Sequence, residues 1–379
     1  MLVYLASIHQ FFEDAPNKLE IRWYGISMRR FNSLLVGAFA SMIFVGCSSS
    51  SPECDPPQLL SCKNFDLKDA RFGSLDLSGG DFRGANLSNA DLASAILDGT
   101  DLRGADLSDA VLSDTDLSNT QLSEVNFSRA NLTRAILSGL DLTGINFVES
   151  ILVGSKFNDS NLTGAIMAGA DLTDALLNGA NLTNTQLGGA NLSGALLRGV
   201  DLTKTDLSKA NLSGIDLQDA DLTGANLIGR DMNGAKLYGA ILVGANLSKS
   251  DLIGADLTNA DLREANLENS NLFSAKIIGS NLKGAMLNGA YLSRALLMGV
   301  DMSGAYLGSV DLRGADLYGA KMNSTNLSRA NLRDANLARA DLTSADLTDA
   351  DLTGANLTDA DLTGAYLNGA TMPDGSIHQ

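Results

Sequence analysis

Side chains able to do chemistry are unevenly placed in this chain of 379 residues. The only histidines are His9 and His378, and all three cysteines, Cys47, Cys54 and Cys62, precede Leu67. The long middle therefore has no imidazole or thiol to act as nucleophile, base or soft-metal ligand. Carboxylates are what remain. Asp81, Asp101, Asp141, Asp201, Asp221, Asp261, Asp301, Asp341 and Asp361 stand at multiples of twenty residues from one another. Stacked at one strand spacing, about 5 Å, such a row could hold a hard cation or raise a carboxyl pKa. The plainer reading is that Asp or Asn fills this place throughout the middle of the chain, and a solvated row needs no ligand. Thr143, Thr163, Thr183, Thr203 and Thr223 also align, as in a water-ordering hydroxyl array, but each follows Asp or Asn by two residues, which interrupts the array. Neither a cofactor nor a metal nor catalysis is expected.

What positions these residues is a period of five. In "ADLTDADLTGANLTDADLTGA", residues 345–365, a leucine recurs every fifth place with an alanine two places before it. On an α-helix, leucines so spaced would wind round every face and leave no stripe to bury. On one straight strand, residues five apart point to opposite faces. Within a unit, however, Ala and Leu share one side of a short extended segment. The chain must then turn between each Leu and the next Ala, giving a corner in every unit. Glycine marks that corner: Gly84, Gly164, Gly224 and Gly354 stand two residues after a centre, where a turn requires positive φ. A ribbon that turns at each corner and climbs one strand spacing per circuit is a β-solenoid. Low aromatic content, 5%, and the fixed period argue against a conventional globular core. Period five alone leaves three and four sides open.

The unit A-(D/N)-L-(S/T)-x resembles the pentapeptide repeat family. From Leu67 to Met372 every fifth residue is Leu, Phe, Met or Ile, without a register slip. The resemblance implies an all-β fold, a right-handed quadrilateral β-helix with four units per coil. Residues 65–372 would make about 15 coils, a rod on the order of 70 to 75 Å long. One coil buries too little apolar surface to offset the ordering of its backbone, so stability must come from stacked neighbours and capped ends. The N-terminal cap is assigned to residues 53–66, and the stop to the turn Met372-Pro373-Asp374-Gly375. Arg230 stands where Ala belongs, and burial of its guanidinium is prohibitive, so a bulge or a side chain bent to solvent is expected there.

Residues 28–46 read as an export signal, with Arg29 and Arg30 ahead of an apolar run too short for a comfortable membrane span. Its end, "FVGC", resembles a bacterial lipobox, although Phe44 and Val45 depart from the usual residues. That resemblance implies diacylation of Cys47, a membrane anchor for a lipoprotein, and a location in the cell envelope facing the periplasm or exterior; a secreted or lumenal protein is the alternative. Residues 1–27 precede the signal awkwardly and read as a mis-annotated extension. Residues 47–64 form linker and cap, and 373–379 a short tail. An exported protein favours a Cys54–Cys62 disulfide.

A net charge of -17 argues against nucleic acid as partner. Some members of the family mimic DNA and bind type II topoisomerases. An even spread of charge over the sides neither favours nor excludes this, and the export signal and short tail weigh against it. A protein partner, not identified by the sequence, is the better expectation. Ile278, Met298 and Tyr318 share one outward place on three successive coils, with Leu296 beside them, Phe273 and Tyr291 on the adjoining side, and Tyr238 two coils below Ile278. Contiguous outward Tyr, Phe and Met mark a surface for a partner. The sequence thus reads as a non-catalytic, exported, lipid-anchored rod serving as scaffold or protein-interaction module.

Overall fold

The computed structural model describes residues 61–379. Cys47, Cys54, the export signal and the region 1–27 lie outside the described residues.

Up to Asp351–Thr371 every rung of the ladder among the described residues joins a residue to the one twenty further on, in parallel: Asp81 to Asp101, Asn86 to Asp106, Asp91 to Val111, Ile96 to Asp116. Twenty residues is four units, so the solenoid has four sides. We number the sides in chain order by their rungs: the first carries Asp81 and Asp101, the second Asn86 and Asp106, the third Asp91 and Val111, the fourth Ile96 and Asp116. The bonds run both up and down. Phe82 N–H donates to the Asp101 carbonyl at 2.8 Å, and Asp101 N–H donates to the Gly80 carbonyl at 2.9 Å. The ladder already begins at Ser61, so Cys62 occupies a buried interior centre.

At each corner the residue after the turn donates back to the centre, as Ala85 N–H does to the Phe82 carbonyl at 3.0 Å. From Asn64 to Gly369 every fifth residue has a φ between 55° and 73°, except Asn119 and Lys204. Positive φ confined to the third turn residue is the signature of a type II turn, which favours Gly and tolerates Asn. Here Asp, Ser, Arg, Lys and Glu also adopt it. Stacking on both neighbouring coils holds them in a conformation that costs an isolated residue about 1 to 2 kcal/mol.

The interior is filled by the Leu-type centres and the small residues two places before them. Phe127 and Phe147 stack at 5.3 Å on the second side, and Phe147 meets Phe157 of the fourth edge to face at 5.9 Å. Side chains from opposite sides thus touch across the tube. Buried hydroxyls replace Ala without penalty because each finds an acceptor: Thr100 donates to the Leu77 carbonyl at 3.1 Å, and Ser155 to that of Leu152 at 2.6 Å.

The small-residue position also admits Ile and Val, and its turn bond does not follow bulk alone, since Ser280 has 3.4 Å and Val125 3.1 Å. The turn bond, near 3.0 Å with Ala, lengthens to 3.2–3.3 Å at Ile145, Ile215, Val300 and Val310. Among the described residues it is absent at Leu140 and Val200, and so are the adjacent rungs Gln121–Asp141 and Asn181–Asp201. Arg230 departs differently. Its turn bond survives at 3.2 Å and its Nε bends out to the Ile228 carbonyl at 3.0 Å, as expected from the sequence. The expense falls on the coil below, where the rungs Asp206–Asn226 and Asn211–Asp231 on either side of this corner are missing among the described residues.

At the C-terminal end the expected turn forms: Gly375 takes φ 86° and its N–H donates to Met372 at 2.9 Å. The chain then reverses, pairing Ile377 antiparallel to Thr371, and His378 N–H donates to the Ala370 carbonyl at 2.8 Å.

Candidate functional site

The aspartate row on the first side comes together as expected, but not as a cation site. Each carboxylate turns back on its own unit. Asp101 accepts from Arg103 through Nε at 2.9 Å and Nη2 at 2.6 Å, and Asp261 and Asp81 hold Arg263 and Arg83 in the same bidentate way. Asp141, Asp201 and Asp221 instead accept from Thr143, Thr203 and Thr223. These bonds hold the carboxyls of Asp81, Asp101, Asp141, Asp201 and Asp261 below the usual range, with the Arg or Thr hydrogen bond the largest cause. These donors outweigh desolvation, which acts in the opposite direction, so the carboxyls of this row are lowered and not raised. No cluster of three or more metal-ligating side chains occurs among the described residues. The threonine hydroxyls, committed to Asp or Asn, do not form a free array.

The predicted apolar surface separates into two parts. Ile278, Met298 and Tyr318 follow one another along the edge after the fourth side, with Leu296 on the face beside Met298. Ile278, Leu296 and Met298 are half-buried by their neighbours, whereas Tyr318 is exposed and carries the Arg339 guanidinium 5.8 Å from its ring centre. Tyr238 is exposed on the same edge, but Thr258 stands between it and Ile278, and its hydroxyl accepts from Asn259 Nδ2 at 3.3 Å. Phe273 and Tyr291 belong elsewhere, in a groove of about 880 Å³ on the third side that also includes Ile253, Lys249 and Arg294.

Comparison with known proteins identifies the repeat. The model of pentapeptide repeats matches in successive segments that together span residues 66–372. The chain belongs to the pentapeptide repeat family. Among solved structures it is similar to HetL, a pentapeptide repeat protein involved in heterocyst differentiation regulation in Nostoc sp. strain PCC 7120, with 29% identity, 82% of this chain and 93% of HetL covered, and a TM-score of 0.25. Similarity to Rfr23 of Cyanothece 51142 reaches 32% identity over 28% of this chain and 58% of that one, with a TM-score of 0.17. QnrB1, a plasmid-mediated fluoroquinolone resistance protein, shares 20% identity over 57% of this chain and 90% of its own, with a TM-score of 0.23. No curated protein matches the chain.

Within this pentapeptide repeat solenoid, reading single residues missed two features that rows of twenty display. Met286 and Tyr306 lie exposed on successive coils of the second side, extending apolar surface to another face of the same region. Asp216 faces outward by its place in the unit yet is 0% exposed, covered by Arg198 and Lys236 from the coils below and above. Arg198 donates to Asp216 Oδ2 at 3.0 and 2.7 Å, and Lys236 Nζ lies 3.8 Å away. Arg at position 198 and Lys at 236 flank Asp216 at offsets of 18 and 20, the signal that would have found it.

Proposed function

We propose that this pentapeptide repeat protein is a non-catalytic, exported and lipid-anchored rod that binds a partner protein along the edge formed by Ile278, Met298 and Tyr318, with Leu296 beside them. The observation that carries this reading is the placement of three large apolar side chains on consecutive coils of a surface otherwise dominated by Asp, Asn, Ser, Thr and Gly. The ladder spaces them about 5 Å apart on a rigid backbone, so a partner meets them with little ordering cost. Arg339 over Tyr318 supplies a polar rim at one end. Replacement of Met298 and Tyr318 by Glu places two carboxylates on that edge without touching an interior centre. Binding to a partner first captured by crosslinking the wild-type protein in intact cells should fall at least about tenfold, while thermal unfolding stays unchanged. Unaltered binding would dismiss the edge.

The anchor rests on Cys47, and the disulfide on Cys54 with Cys62. Palmitate labelling that disappears in Cys47→Ala would support the anchor; full-length protein in the soluble cytosolic fraction would refute it. The DNA-mimic reading has less support. Guanidinium groups lie bidentate on Asp81, Asp101 and Asp261 of the first side and on Asp311 of the third, so cations interrupt these acidic rows at several coils. Failure to alter topoisomerase supercoiling at micromolar protein would count against it further.

A further inference from the structure

We propose that the groove on the third side binds an anionic oligosaccharide, with Phe273 and Tyr291 as stacking surfaces and Lys249 and Arg294 as partners for its carboxylates. This goes beyond the protein-binding edge and uses none of its residues. The groove is an open one of about 880 Å³, lined by both apolar and charged side chains.

Three observations select the occupant. The first is charge. Lys249, Arg294 and Arg313 line the groove together with Asp251 and Asp311, one net positive charge on a chain of net -17. Arg313 is already held bidentate by Asp311, at 2.9 and 2.7 Å. Lys249 and Arg294 take part in no ion pair among the described residues, which leaves two cations at opposite corners of one face for an incoming anion.

The second is the state of the backbone. Leu272 N–H donates to the Tyr291 carbonyl at 2.7 Å, Tyr291 N–H to that of Ser270 at 2.9 Å, and Leu292 N–H to that of Asp311 at 2.7 Å. The groove floor thus offers no unpaired strand to which an extended peptide could add itself. A ligand there must be recognised by side chains alone, through its own hydroxyls, carboxylates and ring faces.

The third is the pattern of those side chains. Tyr291 is 55% exposed and Phe273 39%, on neighbouring coils, with Ile253 one coil further down. Tyr291 stacks over Asn271, and Phe273 stands two residues further along the face, so the two rings offer a pair of stacking surfaces on a diagonal across neighbouring coils. Asn269, Asn271 and Ser293 add amides and a hydroxyl to the lining. Such a combination suits the apolar face, hydroxyls and carboxylate of a uronic acid.

Titration calorimetry of the full chain at low ionic strength tests this with three probes of equal length: a hexamer of galacturonic acid, cellohexaose, and hexaglutamate. The uronate should bind at least about tenfold more tightly than either other probe, and Tyr291→Ala and Arg294→Ala should each weaken it by about tenfold, with Tyr291→Phe close to wild type. Both substitutions point outward, and unchanged thermal unfolding verifies that the fold is intact. Met298→Glu with Tyr318→Glu should leave uronate binding unaffected, so the groove and the edge fail or stand separately. Absence of uronate binding, equal binding of cellohexaose or hexaglutamate, or full affinity in Tyr291→Ala would overturn the assignment.

Discussion

A residue at a corner answers to two demands, backbone φ and the space above it, and the glycines separate them. At Gly304, φ is 67° and an added Cβ would meet nothing within 4 Å, so Gly304→Ala tests conformation alone. It should cost about 1 to 2 kcal/mol in urea unfolding, and Gly304→Asn less, because Asn tolerates the left-handed region. At Gly179 the added carbon runs into the Asp159 carboxylate as well, so Gly179→Ala should cost more; equal values would deny the steric contribution. A different residue-scale device is the Arg198–Asp216–Lys236 column. Asp216→Ala removes two charge-assisted bonds from Arg198 and should destabilise by about 2 kcal/mol, whereas Asp206→Ala, exposed and without an ion pair among the described residues, should change stability little. Asp216 was not legible from its unit, where it is one more Asp before a centre. Its burial depends on long side chains from two other coils.

At the scale of one coil, the period of five fixed the corners, and rows of twenty then followed from the resemblance to the family. The inward places, the turns and the Met372–Gly375 stop were all readable because each depends on local spacing. Tolerance to bulk was not. Arg230 was recognised as out of place, but rungs are also missing beside Leu140 and Val200, whereas Val300 and Val310 in the same place keep theirs, and Thr100 and Ser155 are accommodated because each hydroxyl finds a carbonyl. Arg230→Ala should therefore let the coils around Asp206 and Asp231 close. Hydrogen exchange is the measurement: the amides of Leu207, Lys209, Asn226 and Asp231, which lack a ladder acceptor among the described residues, should gain protection relative to wild type. Unchanged exchange at all four would mean that Arg230 does not hold the rungs apart.

Across the described solenoid, acid stability follows from the paired carboxylates. Hydrogen bonds from Arg and Thr hold the folded-state pKa of Asp81, Asp101, Asp141 and Asp261 below the unfolded value. The stabilisation is complete above the unfolded pKa and is lost as pH falls through the folded one. The unfolding temperature should thus be level down to about pH 5 and decline below it, most steeply at low salt. A rise on acidification would contradict the pairing. Surface function was only partly legible at this scale: the edge at Ile278, Met298 and Tyr318 survives as one row, while Phe273 and Tyr291 fall into a groove whose cations stand on other units. The most direct test of the account is photocrosslinking in intact cells, with a photoreactive residue in place of Met298 on the edge and, as control, in place of Thr183 on the hydroxyl row. The account predicts a light-dependent adduct of one defined mass from position 298 and none from 183. Adducts of equal yield from both positions, or none from 298, would contradict it.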